Sequence, residues 1–69
     1  MSNYIINKNQ DSKGYNEVHT TSCTHLPEVK NQVALGWFTD AKSAVAYAKS
    51  NGYPTADGCY YCCADAHKG

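Results

Sequence analysis

With 69 residues and a formal net charge of zero, the chain is a single domain, residues 1–69, close to the lower limit at which an apolar core holds a protein together. Cores of that size contribute only about 3–5 kcal/mol, so a staple is expected. Six lysines balance six acids and there is no arginine, so neither the basic patch that contacts phosphates nor the fork that reads guanine is present and direct nucleic-acid binding is disfavoured; no apolar run approaches the roughly 20 residues of a membrane span.

Tyr4 to Asn7 and Tyr15 to Thr20 are rich in β-branched and aromatic residues, and the polar segment through Asp11, Ser12 and Gly14 joins them as a hairpin. Cys23-Thr24-His25-Leu26-Pro27 turns the chain away from the sheet, and Glu28 to Asn31 is a polar loop. Gln32 to Phe38 reads as a third strand, with Val33, Leu35 and Trp37 on one face at period two and assigned to the core. Thr39 or Asp40 caps a helix whose stripe is Ala41, Ala44, Val45 and Ala48, and Asn51-Gly52 stops it. Asp57-Gly58 reads as a turn that exposes the backbone before Cys59, and residues 62–67 as one helical turn. The expected fold is α+β: a small three-stranded antiparallel sheet with one helix, stapled by a single zinc site.

The staple is suggested by spacing. His19-x-x-x-Cys23 and Cys59-x-x-Cys62 are two short chelating pairs from distant segments, which can close on one tetrahedral ion. Cys59 and Cys62 form the stronger pair, His19 and Cys23 the second. Side chains of adjacent Cys62 and Cys63 are expected to diverge, so one of the two is spare. His67 is near enough in sequence to make Cys23, Cys59, Cys63 and His67 an alternative set, and His25 can replace His19. Four cysteines and three histidines fall short of the eight ligands that two sites need, so one zinc ion per chain is expected. The opening Met1-Ser2-Asn3-Tyr4 has neither the basic start nor the apolar run of a signal peptide, which makes the cytoplasm the expected location. There, clustered cysteines are more often ligands than bridges. Tyr60 and Tyr61 read as the hydrophobic wall of a metal knuckle, and Lys42 and Lys49 as the solvated face of the helix.

From His19 to Cys62, about two-thirds of the chain, the order of elements resembles the small zinc-binding domain of the Ada alkylation-response protein and related zinc modules. The matching pieces are His19-Thr20-Thr21-Ser22-Cys23, Leu35-Gly36-Trp37-Phe38, Ala41 to Ala48, Gly52-Tyr53-Pro54 and Cys59-Tyr60-Tyr61-Cys62. The resemblance implies a small α+β zinc fold. It does not imply methyl transfer, because His19 stands where that family has its methyl-accepting cysteine.

Four protein ligands leave no open coordination position for substrate or water. The leading expectation is therefore a non-enzymatic structural-zinc module that binds another macromolecule, most simply another protein. A thiol redox or metal-handling protein using Cys59, Cys62 and Cys63 is the alternative from a different class. A nucleic-acid accessory domain is suggested only by the resemblance.

Overall fold

The computed structural model describes residues 2–68. Its elements are β1 (Ser2–Asn7), β2 (Asn16–Thr20), β3 (Gln32–Phe38), α1 (Ala41–Ser50) and β4 (Ala56–Gly58), with short 3-10 turns at Val29–Asn31 and Ala64–Ala66. The strands form one sheet in the order β3-β1-β2-β4. Strand β1 runs antiparallel to β2 and β3, whereas β4 runs parallel to β2.

The sheet is thus mixed and four-stranded, which corrects the three-stranded antiparallel expectation. Asp57-Gly58 has the composition of a turn, and three residues are too few for a strand periodicity. Its extended form comes from the edge of β2, where Asn16, Glu17 and Val18 pair with Ala56, Asp57 and Gly58. The Asn16 amide donates to Thr55 O at 3.0 Å and the Cys59 amide to Val18 O at 2.9 Å, framing the short ladder. The buried Asn16 side chain adds two further bonds, donating to Asn7 O and accepting from the Thr55 hydroxyl.

Tyr4 and Ile6 of β1 and Val18 of β2 form one apolar cluster with Ala44, Val45 and Ala48 of α1. The small helix stripe allows close approach to the sheet but removes little apolar area from water. Asp40 caps the helix, its Oδ1 accepting from the Ser43 amide at 2.8 Å. At the other end the Tyr53 amide returns to Ala48 O across Gly52, whose φ of +102° favours glycine.

Trp37 departs from its core assignment and is 55% exposed. The pairing of β1 with β3 slips between Tyr4, opposite Gly36, and Ile5, opposite Ala34, so Leu35 is the extra residue of a bulge. Gly36 takes the positive φ there, +107°. The side-chain alternation is inverted beyond it, so Val33, Leu35 and then Phe38 pack on the core while Trp37 faces out.

Candidate metal centre

The parallel pairing of β2 with β4 assembles the site. Parallel strands end at the same edge of a sheet, so the segments leaving β2 and β4 emerge side by side. His19 is near the end of β2, and Cys23 lies in the turn beyond it, its amide donating to Thr20 O at 3.1 Å. Cys59 follows β4 directly, and the Cys63 amide closes the next turn on Cys59 O at 2.8 Å, bringing Cys62 back over the same place.

One donor atom from each of His19, Cys23, Cys59 and Cys62 lies within 4.8 Å of all the others, so this group can hold a metal ion. Cys23 Sγ is 3.9 Å from Cys59 Sγ, and Cys62 Sγ is 3.9 Å from His19 Nδ1. Tetrahedral zinc with ordinary Zn–S and Zn–N bonds has ligand–ligand edges of roughly 3.5–3.8 Å. These two separations are close to that range and far from the roughly 2.05 Å of a disulfide, and all four cysteines are free. Two backbone amides point at the sulfurs, Thr20 N at Cys62 Sγ and His25 N at Cys23 Sγ, each at 3.4 Å. Such donors offset the negative charge that several thiolates bring to one ion.

His19 is 1% exposed. Burial, and secondarily the nearby His25, holds its pKa below the ordinary histidine value, which keeps the imidazole in its neutral, ligating form. Nδ1 faces Cys62, while Nε2 lies 3.6 Å from Glu17 Oε1, one pleat earlier on the same face of β2. An Nε2 proton is the tautomer that faces the Glu17 carboxylate, and it directs the Nδ1 lone pair toward Cys62 and a cation. Replacing Glu17 by Ala is expected to weaken metal binding by about 10–100-fold, with Glu17→Gln retaining part of the loss, in a competitive chelator titration. Unchanged affinity in Glu17→Ala would remove Glu17 from the site.

The other sequence candidates are placed differently. His67 Nδ1 donates to Gly58 O at 2.9 Å and lies 3.4 Å from Asp57 Oδ2, so its ring is engaged outside the four-donor group. The ring of His25 stacks on Tyr61, with centroids 3.8 Å apart at 16°. Cys63 is buried and also outside the group, yet its Sγ is only 3.7 Å from Cys62 Sγ. The two adjacent side chains therefore do not diverge, because the turn that closes on Cys59 O folds both toward one side. Burial, then the contact with Cys62, pushes the Cys63 thiol up to about 12.

Of the two tyrosines at the knuckle, Tyr61 lines a cleft together with Cys62 and Cys63, whereas Tyr60 lies outside that lining. They are 63% and 67% exposed and meet edge to face. Asp57, which sequence reasoning passed over as a turn residue, is buried and accepts the Lys68 amide at 2.9 Å, tying the segment after the knuckle to β4. An aspartate before a glycine carries no local signal for that role.

The fold and the cluster define a small α+β domain whose His/Cys group can hold a metal ion, and among the described residues no helix is long and apolar enough to cross a membrane. No protein-family model, curated protein or solved structure matches the chain, so no family stands behind the likeness to the Ada zinc domain.

Proposed function

We propose that the ion is zinc, one per chain, bound by His19 Nδ1 and the Sγ atoms of Cys23, Cys59 and Cys62, and that the chain is a non-enzymatic module acting by binding another protein. The observation that carries this reading is the convergence of four soft or borderline donors, from two segments 36 residues apart at Cys23 and Cys59, within 4.8 Å. Three sulfurs and one imidazole suit zinc over hard cations. When bound, the ion supplies cross-linking, and a saturated shell leaves no position for a reacting water. The cysteines have to stay reduced for this, which fits a reducing compartment such as the cytoplasm.

Interaction with a protein is supported by the exposed aromatics. Tyr60 and Tyr61 project from the knuckle and Trp37 from β3, residue types enriched at interface hot spots. Zero net charge without arginine speaks against nucleic acid. In cells of the source organism, crosslinking with zinc-loaded protein is expected to give a saturable protein adduct that the Tyr60→Ala, Tyr61→Ala double variant loses while keeping its zinc. Salt-sensitive oligonucleotide binding without such an adduct would replace this reading by the nucleic-acid one.

A further inference from the structure

The four residues of the donor group are unevenly buried. His19, Cys23 and Cys59 are 1%, 9% and 2% exposed, whereas Cys62 is half-buried and opens on a shallow cleft lined by Tyr4, Asp40, Tyr61, Cys62, Cys63 and Asp65 among others. Cys62 is thus the member of the group most open to a cation or a chelating molecule. Asp40 and Asp65, both exposed on this cleft, favour the approach of a cation.

Cys63, itself only 2% exposed, lines the same cleft. Its Sγ lies 3.7 Å from Cys62 Sγ, close to the roughly 3.8 Å separation of two sulfurs that share one tetrahedral zinc. We propose that Cys63 is an exchange ligand: a fifth donor, outside the resting set, that takes the ion from Cys62 as metal is loaded or withdrawn through the cleft. The inference rests on the zinc reading of the group. In the exchange step the metal–sulfur bond to Cys62 breaks and one to Cys63 forms, while the proton of the Cys63 thiol passes to the Cys62 sulfur across their direct contact. Charge is unchanged and nothing is oxidised or reduced. Without Cys63, release of Cys62 leaves an ion with three ligands and an empty position, a costlier intermediate.

The test follows zinc transfer from the loaded protein to an excess of a chromogenic chelator, comparing the natural chain with Cys63→Ser and Cys63→Ala. Both variants are expected to retain one zinc and to release it about tenfold more slowly, which corresponds to a barrier higher by about 1.4 kcal/mol. The sign separates exchange from packing, because a substitution that merely loosened this buried position would speed release. Equal or faster transfer from zinc-loaded variants overturns the proposal. Loss of zinc stoichiometry in both variants also overturns it, by making Cys63 a resting ligand. A natural chain that binds no zinc instead defeats the reading of the site itself.

Discussion

Excess chelator is expected to unfold the domain, and Cys23→Ser or Cys59→Ser to have the same effect. The apolar cluster consists mainly of Tyr4, Ile6, Val18 and a helix stripe made mostly of alanine, with Val33, Leu35 and Phe38 only partly buried against it, all in a chain of 69 residues. Cores of this kind supply about 3–5 kcal/mol, against an apparent binding energy on the order of 10–16 kcal/mol for structural zinc near neutral pH. Removing the ion unlinks the segments that leave β2 and β4, and the three-residue β4 is left with a ladder of only three paired positions on β2. Acid acts in the same direction. The pKa of His19 is depressed in the folded chain by burial first and by His25 second, so the unfolded chain takes up a proton before the folded one does. The contribution of neutral His19 is thus complete above the ordinary histidine value, about 6.5, and is lost as the pH falls below it toward the depressed folded value. Thiolate ligands add to the loss by being protonated off the metal. Amide NMR dispersion checks both arms, and a well-dispersed spectrum that survives chelator would contradict the staple.

The second large effect is expected at Gly58, the last residue of β4. A Cβ built there would lie 2.6 Å from Cys63 O, 2.8 Å from Ala66 Cβ and 2.9 Å from Ala66 C. These are backbone atoms and a short, rigid side chain, so nothing can swing aside; the whole segment after Cys59 has to move. Overpacking of this kind costs about 1–3 kcal/mol, and here the displaced segment carries Cys62. Gly58→Ala is therefore expected to lower both the melting temperature and the metal affinity. A variant with natural values for both would show that the knuckle is not seated on β4 as described.

The features legible in the sequence are those set by local chemistry. The candidate donors stand out because chelating pairs need short spacings, and both pairs, His19 with Cys23 and Cys59 with Cys62, are such spacings. The first two strands and the alanine helix follow from β-branched content and from the i, i+3, i+4 stripe. What was hidden depends on distant partners. Strand β4 exists only through the edge of β2, some forty positions earlier. Trp37 faces out because a bulge, centred on Leu35 and a positive-φ Gly36, inverts the alternation that placed it in the core. His67 has a ligand-like spacing, but the turn at Ala64–Ala66 directs it to Gly58 O and Asp57. The proximity of the Cys62 and Cys63 sulfurs accompanies the earlier turn, in which the Cys63 amide closes on Cys59 O and which residue order does not encode.

Native mass spectrometry of the full chain, purified without added metal or chelator and paired with thiol counting on the same sample, tests the centre most directly. The account predicts one ion of zinc's mass per chain, with the ligand thiols becoming reactive only once a chelator removes it. A metal-free chain lighter by two hydrogens for each cysteine pair would show disulfides in its place and would contradict the metal centre.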